Sequence, residues 1–134
     1  MFIEPPLEIT DSLVRFRQDF PDSAQVAFIM IEYSETKPHN AITKSIKDAL
    51  KAHGVIGVLA KDTMYQENLE YNILTYLYGC GLGVAVFERI LNEKINPNVS
   101  LEVGYMLALN KPICYLKEQT LPGGFDESGL MPWS

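Results

Sequence analysis

The chain has 134 residues, 47% hydrophobic and 21% charged, with a net charge of −6. This fits one folded domain with one core and excludes a disordered polymer. The acidic balance, with no stripe of Lys or Arg, excludes the usual electrostatic footprint of a nucleic-acid binder.

The start, Met-Phe-Ile-Glu-Pro-Pro, lacks the basic opening and apolar centre of a secretory signal. The longest uncharged run, 71–87, is broken by Gly79, Gly81 and Gly83, so it reads as helix end, turn and strand rather than a membrane span. Cys80 and Cys114 are too few and too far apart for a disulfide framework or a zinc site. Both sit in apolar surroundings, where a buried thiol is expected. The expected setting is the cytoplasm, with no metal and no membrane partner.

Residues 1–24 read as a preamble: a short helix capped by Thr10 or Asp11, running through Leu13, Val14 and Phe16, and stopped by Pro21. Val26–Ile31 is a continuous apolar run that suits a strand buried on both faces. Pro38–His53 carries Ile42, Ile46, Ala49 and Leu50 at helical spacing, and Gly54 supplies the stop. Val55–Ala60 is a second buried strand. Thr63 and Gln66 have capping-box spacing before a helix with Leu69, Ile73, Tyr76 and Leu77 on one face. Leu82–Phe87 is a third strand, and 112–116 a fourth. Between them lies a helix that Asn96 can cap and Pro97 can open. From Lys117 the pattern dissolves, and the chain ends at Ser134 without an evident element.

The alternation predicts a doubly wound, flavodoxin-like α/β fold: a parallel sheet of four to five strands with helices on both faces. The domain is expected over 25–121, with a tail over 122–134. In such sheets the ligand crevice lies beyond the carboxyl ends of the strands. Three loops leave those ends. They carry Glu32 and Tyr33, then Asp62 with Tyr65 just beyond, then Glu88 through Asn96 and Asn98. Glu32 and Glu88 are crevice acids or solvated strand-end charges. Asn96 and Asn98 are ribose ligands or helix caps. Tyr33 and Tyr65 are base-stacking residues or ordinary loop tyrosines. The Gly79-Cys80-Gly81-Leu82-Gly83 run precedes a strand, so it is a helix–strand turn and not a dinucleotide loop. His39, in a loop, and His53, at a helix end, read as surface residues.

Glu102 stands apart. It is the only charge between Ile95 and Asn110, in a helix that is apolar almost all round and is therefore expected to be buried. A carboxylate there is costly unless it is paired, hydrogen-bonded or used. It is a working group or half of an ion pair with Arg89, Lys94 or Lys111.

The stretch 96–112, from Asn-Pro-Asn through Glu102, Gly104 and the closing Lys111-Pro112, resembles the Glu-Leu-Gly-Tyr-Ala-x-Ala-Leu-x-Lys-Pro motif of nucleoside 2-deoxyribosyltransferase-like and TIR-like nucleotide-binding domains. Val103 stands where that motif usually has Leu, and the run 83–88 resembles the family's third strand with its terminal acid. The resemblance implies that Glu102 works at the ribose C1′ of a nucleoside or nucleotide. Cleaving the bond to the base builds positive charge at C1′, which a carboxylate can stabilise or attack. One strong acid with tentative partners favours a cationic leaving group. The first expectation is therefore an NAD+ nucleosidase that uses NAD+ as substrate, needs no cofactor and acts as a homo-oligomer. The alternatives are a non-catalytic nucleotide-binding or TIR-like interaction module, then a nucleoside 2-deoxyribosyltransferase.

Overall fold

The computed structural model describes residues 3–32, 34–88, 96–118 and 131–133. The elements run α1 (Thr10–Asp19), β1 (Val26–Met30), α2 (Lys37–Ala52), β2 (Ile56–Val58), α3 (Leu69–Gly79), β3 (Leu82–Phe87), α4 (Pro97–Ala108), β4 (Ile113–Glu118) and β5 (Met131–Trp133). Every strand pair is parallel, in the order β2-β1-β3-β4-β5. This is the expected doubly wound α/β architecture. The fifth strand forms where the sequence shows no apolar run, and it pairs with β4 from Leu116↔Met131 to Glu118↔Trp133. Among the described residues no helix is long and apolar enough to cross a membrane.

β1 is buried throughout and β3 from Gly83 onward, and alternate residues serve opposite faces. Val26, Phe28 and Met30 of β1, with Ala85 and Phe87 of β3, face α1, α3 and α4. Ala27 and Ile29, with Val84 and Val86, face Ile42, Ile46 and Leu50 of α2. The first helix belongs to this core: Ile9, Leu13 and Phe16 are buried, and Phe16 packs edge-on against Tyr65 and Tyr76.

Local starts differ from sequence expectation in two places. Neither Thr10 nor Asp11 caps α1; Ile9 holds that position, and the Thr10 hydroxyl donates to the Leu7 carbonyl. Thr63 and Gln66 form no capping box, because α3 begins at Leu69 with Asn68 as its cap. The Gln66 amide instead donates to the Ser12 hydroxyl on α1. Tertiary partners have overridden the local signal in both cases.

The glycines around 79–83 are explained by close packing. A Cβ on Gly79 would lie 2.3 Å from the Phe16 ring, and one on Gly81 would lie 2.4 Å from the Ser23 carbonyl oxygen. The Gly81 N–H donates to that same carbonyl, tying the β3 entrance to the chain entering β1. Gly54, at φ 75°, is the left-handed stop of α2.

Gly79→Ala forces the Phe16 ring out of its site, and overpacking of this kind costs about 2 kcal/mol. Urea unfolding should show that loss with an unchanged slope. Unchanged stability would contradict the packing described.

Candidate active site at the sheet switch point

β1 is flanked by β2 and β3, so the winding reverses beside it. Met30 pairs with Ala85, so the chains leaving β1 and β3 emerge side by side. A cavity of about 450 Å³ opens there, bounded by the β1 and β2 exits and by α3 and α4. Its wall on α3 is apolar, from Ile73, Leu74 and Leu77. Its polar residues come from the strand exits and the starts of α2, α3 and α4, and they include Glu32, His39, Glu70, Asn96, Asn98 and Glu102.

Asn96 places α4. Its side-chain oxygen accepts the N–H groups of Asn98 (2.8 Å) and Val99 (3.3 Å). Asn96 is thus both a helix cap and a cavity residue. Val99, Val103 and Met106 anchor the helix in the core, which turns Glu102 toward the cavity wall. The helix is not buried all round, as its composition suggests: Leu101 is 72% exposed and Leu107 57% exposed.

The Glu102 carboxylate has no hydrogen-bond or ion-pair partner among the described residues. Burial alone pushes its pKa up to about 7. One expected partner is otherwise engaged: the Lys111 ammonium donates to the carbonyls of Leu77 (2.6 Å), Tyr78 (2.8 Å) and Cys80 (2.6 Å), where it closes the end of α3. Burial pulls that lysine down to about 8. Arg89 and Lys94 lie outside the described residues, as does Tyr33.

The other acids divide. Glu32 lines the cavity. Glu88 is buried behind it, reached by the His39 imidazole, whose Nε2 is 2.9 Å from Glu88 Oε1 and 3.6 Å from Glu32 Oε2. His39 is therefore no surface residue: it is 1% exposed, held at the start of α2, with Nδ1 2.6 Å from the Thr36 hydroxyl. A loop histidine carries no periodic signal in the sequence, and only the pairing of β1 with β3 brings two acids to it. The carboxylates and imidazole lie within 4.8 Å of one another, a donor set able to chelate a divalent cation.

Two expected site residues sit elsewhere. Tyr65 is buried among Phe16 and Tyr76, and its hydroxyl donates to Asp19 at 2.5 Å, so it cannot stack on a base. Asp62 accepts from Lys47 (2.9 Å) and from the Leu59 N–H (2.9 Å), and it fastens the β2 exit rather than facing the cavity. Among the cysteines, Cys80 is buried as expected and Cys114 is exposed.

This is a crevice at the switch point of a doubly wound sheet, with a half-buried carboxyl on its wall. No family model matches the sequence, and no curated protein matches it. Among solved structures, the 2-desoxiribosyltransferase from Leishmania mexicana has the same fold, with a TM-score of 0.57 at 16% identity. The match covers 72% of this chain and 66% of that one, just under two thirds of its length. The likeness is one of fold, and it agrees with the deoxyribosyltransferase-like side of the sequence motif.

Because Glu102 is protonated more readily folded than unfolded, its ionisation destabilises the fold. The penalty begins above the ordinary carboxylate value and is complete above about pH 7. Glu102→Gln should therefore stabilise the protein by about 2 kcal/mol at about pH 8.5 and by little at about pH 5, allowing for partial exposure. Equal effects at both pH values would contradict the burial argument.

Proposed function

We propose that the cavity binds a nucleoside and that Glu102 acts at C1′ as the bond to the base breaks. The observation that carries this reading is the Glu102 carboxyl itself, on the cavity wall, raised by burial and without a described partner. Ionised, one of its oxygens attacks C1′; the C1′–N bond breaks, and its electron pair leaves with the base. The glycosyl ester is then released by water or by a second base. A neutral base leaves more easily when it is protonated, and solvent entering the open cavity supplies that proton. The shared fold of the deoxyribosyltransferase supports nucleoside chemistry of this class.

NAD+ fits less well. Among the described cavity residues the only Lys or Arg is Lys61, already 3.0 Å from the Glu35 carboxylate, while Glu32, Glu70 and Glu102 are acids. A pyrophosphate would enter an acidic site with one committed cation. A nucleoside carries no such charge.

Incubation with ribo- and deoxyribonucleosides, each with a different free base present, should give base exchange or base release. Glu102→Ala should lower the rate at least about hundredfold. Because the ionised carboxylate is the reactive form, kcat/KM should rise with pH through about 7. An NAD+ arm should release little nicotinamide. Turnover that survives Glu102→Ala would overturn the assignment. Stabilisation by nucleosides without any product would return the protein to a binding module.

We also infer that copies of the chain associate. β5 covers the edge of β4, so the support comes from α4, where Leu101 and Leu107 are exposed. Sedimentation should show mass rising with concentration, and a monomer at all concentrations would oppose it.

A further inference from the structure

We propose that Glu32, braced by His39, is a sugar subsite that takes the 2′- and 3′-hydroxyls of a ribose, so that the preferred ligand is a ribonucleoside. The inference rests on the nucleoside reading above and specifies the sugar.

The cavity is divided by the fold. α3 gives it an apolar wall suited to a flat base, through Ile73, Leu74 and Leu77. The acids at the β1 exit and on α4 leave the switch point for the sugar. C1′ must lie at Glu102 for the chemistry to occur. The hydroxyl edge of the ring then falls toward a polar side, and Glu32 is an acid that side presents.

His39 fixes how Glu32 is presented. Thr36 caps α2 by accepting the His39 N–H at 3.2 Å, and its hydroxyl lies 2.6 Å from Nδ1. When that hydroxyl donates to Nδ1, the remaining ring proton is on Nε2, which donates to Glu88 at 2.9 Å with Glu32 at 3.6 Å. One buried imidazole thereby hydrogen-bonds the acid of the β3 exit and lies beside the acid of the β1 exit, from a helix start locked by its own cap. A carboxylate is an acceptor with two oxygens side by side. Vicinal hydroxyls supply two donors in the matching arrangement, whereas 2-deoxyribose supplies one. An acid at a strand exit that accepts ribose hydroxyls is a recurring arrangement in doubly wound sheets. A site built around a hydroxyl discriminates against the analogue that lacks it, because one hydrogen bond is lost. His39 acts through Glu32 and is a positioning residue.

The test is calorimetric binding of adenosine and uridine, each beside its 2′-deoxy counterpart, to full-length Glu102→Gln protein, which does not consume them. The ribonucleoside should bind about tenfold or more tightly than its 2′-deoxy form. Glu32→Gln, added to that protein, should collapse the ratio to near unity. His39→Leu should do the same, and His39→Gln, which keeps an N–H donor, should restore much of it. Equal binding of the two sugars, or a ratio unmoved by Glu32→Gln, would overturn the subsite. Either result could stand beside Glu102-dependent turnover, so it would leave the catalytic reading intact. Conversely, a ribose preference without turnover by the wild-type chain would support the subsite and sink the enzyme.

Discussion

The proposed chemistry depends on one half-buried carboxyl without a partner among the described residues. Helix α4 is anchored by Val99, Val103 and Met106, and this anchoring holds Glu102 half-buried on the cavity wall, where no described group answers its charge. A carboxylate in that position weakens the fold whenever it ionises. Such a cost is typical of sites kept for chemistry rather than for stability. The same desolvation makes the charge more effective at a carbon becoming cationic, because little solvent screens the pair.

The rest of the fold serves to make that position possible. Asn96 fixes where α4 starts, and Lys111 fixes what lies beneath its end by binding the last carbonyls of α3. Asn72 performs the same service for the loop leaving β2. Its side chain accepts the Tyr65 N–H at 2.8 Å and donates to the Ala60 carbonyl at 2.9 Å. The walls of the cavity are thus tied to the core by polar side chains with satisfied partners. Glu102, by contrast, has no such partner among the described residues.

The architecture was legible because its signal is local. Apolar runs at 26–30 and 82–87 and helical spacing over 37–52 report burial directly in the chain. Glu102 and the Asn96 cap were legible for the same reason: a single charge in an apolar helix, and an Asn-Pro start. What was not legible depends on neighbours far apart in sequence. His39 became a buried bridge only because β1 and β3 pair and bring Glu32 and Glu88 together. Tyr65 follows a strand exit and so resembles a binding residue, yet α1 packs over it and turns it into core. Asp62 is claimed by Lys47 and by its own loop. β5 has only three residues, one of them proline, and no periodicity that a sequence could display.

The most direct test is the proton equilibrium of Glu102. Side-chain carboxyl carbon chemical shifts, followed by NMR across a pH titration and assigned with Glu102→Gln, should place its midpoint near 7. They should also show the midpoint falling when a ligand that carries positive charge occupies the cavity. A midpoint at the ordinary value of about 4.5 would mean that the carboxylate is solvated or paired, and the account of the site would fail.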